Sequence, residues 1–155
     1  MKATEASITE TLNDLIQINY DRIENYREAA EESKRFDISL HTLFQKMAGE
    51  SRLNISALSK LVKKHGGNPE TGATNPGALY RTWMSVKTTF SGNDRKSVLD
   101  SCEYKEDQAQ KAYETALDAE RDGNADLRSM LTSQKETLKK CYDEIKAMQD
   151  KAGRK

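Results

Sequence analysis

Apolar residues in this chain recur at alternating steps of three and four over four long stretches. That period places them on one face of an α-helix and excludes strands. The first stretch reads Ile8, Leu12, Leu15, Ile16, Asn19, Ile23, Tyr26, Ala30, and the second Leu40, Leu43, Phe44, Met47, Ser51, Asn54, Leu58, Leu61, Val62. The third reads Val98, Leu99, Cys102, Glu106, Ala109, Ala112, Tyr113, Ala116, Leu117. The fourth reads Leu127, Met130, Leu131, Gln134, Leu138, Cys141, Ile145, Met148. Every stripe carries polar residues near its middle, where a plain core would carry leucine: Asn19, then Ser51 and Asn54, then Glu106, then Gln134 with Thr137 beside it.

Start and stop signals bound these helices at about 7–34, 39–65, 94–121 and 124–150. Ser7 and Glu10 have capping-box spacing, so the first helix is expected to start there. Gly66-Gly67-Asn68-Pro69 stops the second, and Lys63, Lys64 and His65 suit the negative end of its dipole. Pro76 is suited to a first helical turn, and Leu79, Tyr80, Trp83, Met84, Val86, Lys87 and Phe90 outline a shorter helix over about 76–90, closed by Ser91-Gly92. Asp122-Gly123-Asn124 reads as the turn before the last helix. The loop at 66–75 and the short helix together are long enough to cross a bundle from end to end. The expected architecture is therefore an all-α single domain over 1–155, a four-helix bundle of two helical hairpins joined by a crossover helix.

Composition narrows the function classes. Only 35% of the residues are apolar and 32% are charged, which suits slim helices with wide solvated faces. The 25 basic residues cancel the 25 acidic ones, so no global field favours a nucleic acid or an anionic membrane. No stretch approaches the roughly 18 apolar residues of a membrane span. The opening MKATEASITETLND lacks the apolar core of a secretory signal, and Cys102 and Cys141 are too few for a disulfide framework. The expectation is a cytoplasmic protein. The basic tail of Lys151, Arg154 and Lys155 reads as a solubilising end.

The interrupted stripes share a depth. A hairpin turning near Asp37 sets Asn19 level with Asn54 and Ser51, and one turning near Asp122 sets Glu106 level with Thr137, a turn from Gln134. A weak repeat supports the match: Asn19, Tyr26, Ala29 and Glu106, Tyr113, Ala116 have the same offsets. A dimetal site in such a bundle takes a Glu from each of two helices and a Glu-x-x-His pair from each of the others. The chain contains no Glu-x-x-His, His41 and His65 fall near the ends of the second helix, and Glu106 is the one carboxylate on the stripe. Glu24, Glu50 and Glu103 lie one step off and are the remaining candidate ligands, favoured as boundary carboxylates reaching water. The layer reads instead as a hydrogen-bonded network. Cys102 and Cys141 lie at comparable depth about a turn away, favoured as small buried side chains over a redox pair. Tyr80, Trp83 and Phe90 of the crossover are favoured as a lid over a ligand surface.

The segments LNDLIQINYDRIENYREAAEE, MAGESR, GALYRTWMSVK and CEYKEDQAQKAY carry a resemblance that covers nearly the whole chain. Through them the protein resembles the ferritin-like superfamily, and within it a bacterial domain-of-unknown-function family of small four-helix bundles. The resemblance implies a ferritin-like bundle with a crossover and an association with bacterial stress responses, and no reaction. Some ferritin-like relatives hold di-iron. Their first-helix Glu falls on Asn19, the second-helix Glu and His on Ser51 and Asn54, the third-helix Glu on Glu106, and the fourth-helix pair on Gln134 and Thr137.

The leading expectation is a bundle without a complete di-iron site, with no cofactor and no catalytic residue, acting by association, a homodimer included. The alternative is an iron- or manganese-binding protein or oxidoreductase using Glu106 with Glu103, Glu50 or Glu24.

Overall fold

A computed structural model describes residues 5–71, 76–86, 94–120 and 124–152. Its helices are α1 (Glu5–Ser33), α2 (Ile38–Lys64), α3 (Ala78–Val86), α4 (Arg95–Ala119) and α5 (Ala125–Ala152), with no strand among the described residues. α1 runs from Glu5, so Ser7 lies inside its first turn and is not the cap that its spacing with Glu10 suggested.

Asp37 starts α2 from an extended backbone, its side chain accepting from the amides of Ser39 and Leu40 at 3.0 and 3.2 Å. The opposite end closes where the sequence demands it. Gly66 adopts φ +84°, and the amides of Gly66 and Gly67 reach back to the carbonyls of Lys63 and Val62. This paired closure satisfies carbonyls that the helix itself leaves free.

The crossover starts later than the sequence suggested. Pro76 lies ahead of α3, and Gly77 is the residue whose carbonyl accepts the first helical bond, from Arg81. A β-carbon at Gly77 would collide with the carboxylates of Glu10 and Asp14, so glycine there lets α3 approach α1 without displacing those side chains. The expected continuation through Lys87 and Phe90 to Ser91-Gly92 lies outside the described residues, as do Asp122 and Gly123 of the last turn. Asn124 caps α5, accepting from the amides of Asp126 and Leu127 at 2.7 and 3.3 Å.

α1 packs along α2, α4 along α5, and the hairpins meet through α1 against α4 and α2 against α5, with α3 lying on α1 and α4. Two apolar clusters result. One gathers Leu12, Leu15, Ile16, Leu58, Val62, Trp83, Tyr113, Leu131 and Leu138, and the other Tyr26, Phe44, Met47, Val98, Leu99, Cys102, Cys141 and Ile145. Buried polar residues lie between them. No helix among the described residues is long and apolar enough to cross a membrane.

Candidate functional site

The polar layer is two hydrogen-bonded strata. In the first, Asn54 of α2 donates to the Asn19 carbonyl oxygen at 3.1 Å, and Asn19 donates to the Tyr113 hydroxyl of α4 at 3.0 Å. Tyr113 in turn donates to Gln134 of α5 at 2.7 Å, so one chain of bonds threads all four long helices. Burial pushes the Tyr113 hydroxyl up to about 12, which keeps it protonated and able to donate.

Arg22 forms the second stratum. Its Nε and Nη2 donate to the two carboxylate oxygens of Glu106 at 2.9 and 2.7 Å, and its Nη1 donates to the Ser51 hydroxyl. Arg22 is 1% exposed and Glu106 fully buried. Burial by itself would lower the guanidinium pKa; the charge and hydrogen bonds of Glu106, together with Tyr26 and Cys141 nearby, jointly outweigh it and hold Arg22 protonated. The guanidinium carbon also lies 5.1 Å from the Tyr26 ring centroid, and Tyr26 stacks on Phe44. The Tyr26 hydroxyl is buried beside Glu106, and burial first, then the charge of that carboxylate, pushes its pKa well above the usual phenol value.

Five of the six expected layer positions, Asn19, Ser51, Asn54, Glu106 and Gln134, lie buried in these two strata. Thr137 does not join them. It is half-buried and its hydroxyl donates to the Ser133 carbonyl of its own helix at 3.2 Å. The second hairpin pairs Tyr113 with Gln134, a register about one turn away from that expected for a turn at Asp122. On α1 the inward place falls to Arg22; Ile23, expected on the stripe, is half-buried. Arg22 and Tyr113 are thus the layer residues that pattern reading passed over as partners, although the steps Asn19, Arg22, Tyr26, Ala29 fit the helical face.

The remaining acidic candidates are scattered. Glu50 accepts from the Cys141 thiol at 3.2 Å, Glu103 faces Lys146, Tyr142 and Gln149 on α5, and Glu24 is exposed on the outside of α1. His41 Nδ1 is 2.7 Å from the Ala30 carbonyl at the hairpin turn, away from the layer. Cys102 and Cys141 are both buried, free thiols. Sequence reasoning also missed the α3 anchorage. Asp14 accepts from the amides of Gly77 and Tyr80 at 3.0 and 3.1 Å, and Asp21 accepts from the Tyr80 hydroxyl and Trp83 indole at 2.8 and 2.9 Å.

The profile of the family described as Domain of unknown function (DUF2383) matches residues 7–119. The chain belongs to that family. It is also similar to a solved structure described as ferritin like, diiron-carboxylate proteins from Bacillus anthracis str. Ames. The TM-score is 0.66 and the identity 16%, over 96% of this chain and 96% of that one. At that identity the likeness concerns the fold, and the fold of this DUF2383 protein is a ferritin-like helical bundle. No curated protein matches the chain.

The layer of this ferritin-like bundle does not fit a dimetal centre. Such a centre needs four carboxylates and two imidazoles converging on one site. Here Glu106 is the single carboxylate in the layer, and both of its oxygens hold the Arg22 fork. Among the described residues no three His, Cys, Asp or Glu side chains converge in a way that could hold a metal ion.

Proposed function

We propose that this DUF2383 protein is a non-enzymatic ferritin-like bundle that works by association with a second copy of itself, in the stress adaptation that the family resemblance implies. The observation that carries the reading is the Arg22–Glu106 fork. A positive side chain occupies the interior where a dimetal bundle concentrates negative ligands, which removes both the charge and the donors for metal chemistry.

Self-association draws support from exposed apolar side chains of the first hairpin. Leu53 is 72% exposed and Ile38 66%, with Tyr20 and Phe36 also exposed. Tyr20 and Leu53 are the sequence neighbours of Asn19 and Asn54, which bond across the hairpin, so these two exposed residues lie at the same depth along it. An exposed apolar surface of this kind suits an isologous contact.

Light scattering on protein purified without chelator, combined with elemental analysis, tests both parts. The expected result is a species of twice the 17.5 kDa chain mass that carries no stoichiometric iron or manganese and becomes monomeric in Leu53→Glu. A strict monomer at high concentration, with no partner recovered from cells, would sink the association reading. Stoichiometric metal lost in Glu106→Ala would restore the metalloprotein alternative.

A further inference from the structure

Three features surround the Arg22 guanidinium: a carboxylate offering both oxygens, the Ser51 hydroxyl at the remaining terminal nitrogen, and the Tyr26 ring 5.1 Å away. Each suits a flat, delocalised, weakly hydrated cation better than a compact divalent ion. A carboxylate fork matches paired N–H donors, and an aromatic ring attracts a cation that has shed its water. Divalent ions instead demand several anionic oxygens, and one carboxylate would leave a buried net positive charge.

We infer that the space filled by the Arg22 guanidinium is a recognition site for planar guanidinium- or amidinium-type cations, in this chain occupied by its own tethered side chain. The site spans both hairpins: its cation comes from α1, its carboxylate from α4 and its hydroxyl from α2. The tethered cation therefore does the joining that metal ions do in a dimetal bundle, and assembly of the hairpins needs no metal. The inference rests on the metal-free reading of the layer proposed above and is independent of dimerisation.

Chemical rescue tests it on the full chain. Arg22→Ala keeps Glu106, Ser51 and Tyr26 and empties the cation position. Its Tm is expected to fall by roughly 10 °C, and millimolar methylguanidinium to return at least about 3 °C in a saturable way. Sodium chloride at matched ionic strength, manganese and zinc should return nothing, and the rescue should vanish in Arg22→Ala/Glu106→Gln. No rise beyond the sodium control, or a larger rise with manganese or zinc, overturns the inference. Should Arg22→Ala fail to fold, the wild type supplies a second reading. Its Arg22 Nε–H should give a slowly exchanging NMR signal, resolved from those of exposed arginines and moved in Glu106→Gln. Exchange as fast as at exposed arginines overturns the inference equally. Stoichiometric metal in the wild type would sink this inference and the metal-free reading together, whereas a monomer would sink the association reading alone.

Discussion

Asn19 on α1 donates to the hydroxyl of Tyr113 on α4 at 3.0 Å, and the reciprocal pairing sets Tyr26 of α1 beside Glu106 of α4. Each hairpin places its polar stripe residue against the tyrosine that lies seven positions along the other hairpin. The repeated offsets in the sequence are therefore a two-fold exchange in space. Arg22 breaks that symmetry: its guanidinium forks onto Glu106 and makes no such bond to Asn19.

A buried ion pair is costly to break and cheap to replace as a unit. Glu106→Ala leaves the Arg22 charge buried without its counter-ion and should lower unfolding free energy by about 3–5 kcal/mol. Arg22→Met/Glu106→Leu removes both charges and should recover most of that loss. Urea unfolding of the two single variants, the pair and the wild type gives the coupling directly. A near-additive cycle would show that the fork contributes little beyond its separate halves.

Asp21 holds the crossover by accepting from Tyr80 and Trp83. Asp21→Ala leaves two buried donors unpaired and should cost about 1–3 kcal/mol. Trp83 is the single tryptophan, so its emission reports the crossover directly and should shift to the red. Burial, and next the bond to Asp21, pushes the Tyr80 pKa above its ordinary 10.0. A raised folded value means the native state keeps this proton longer than the unfolded chain does. The stability from Tyr80 is thus complete below pH 10 and declines as pH rises above it. An alkaline titration of Trp83 emission that stayed flat until global unfolding would contradict the latch.

Asp37 ties the first hairpin turn to the start of α4 through Arg95 at 3.0 Å while capping α2. Partial burial alone would raise its pKa, but the Arg95 hydrogen bond and charge and the capping amides outweigh this and hold it below the ordinary 3.8. A depressed folded value means the contribution is present above pH 3.8 and is lost as pH falls through the folded value. Asp37→Ala should lower stability by about 1 kcal/mol at neutral pH, as for a lost cap, and flatten the acid limb of the stability curve. An unchanged acid limb would assign that limb to other carboxylates.

The first hairpin was legible from sequence because its turn is short. Placing that turn near Asp37 fixes the register, and Asn19 then meets Asn54 as expected. The second hairpin has a longer connection, where a shift of one turn changes nothing in the apolar pattern. Gln134 therefore pairs with Tyr113, and Thr137 falls outside the layer. Arg22 was illegible for another reason. A lone charged residue on a helix usually marks a solvated face, and Ile23 beside it offered an apolar alternative only about 100° away. The clue was Glu106, a carboxylate on a core stripe that needed a cation, and helical steps of three and four from Asn19 lead to Arg22. Asp14 and Asp21 gave no signal, because their partners are backbone amides and aromatic donors more than 50 residues away.

Cys102 and Cys141 provide a test of how tightly the second apolar cluster is closed. Both are about 2% exposed, and burial is the leading cause that pushes each thiol pKa well above the ordinary value. Thiolate is the reacting form, so both burial and protonation protect these sulfurs in the folded protein. Labelling with an aromatic disulfide reagent at pH 8 should be slower than in denaturant by at least about a hundredfold, with two thiols appearing on unfolding. Glu50→Ala should leave this protection largely intact at Cys102, while Cys141, whose thiol donates to that carboxylate, should label faster. Rapid labelling of both thiols in the native wild type would mean that α4 and α5 open locally far more often than their buried interface implies.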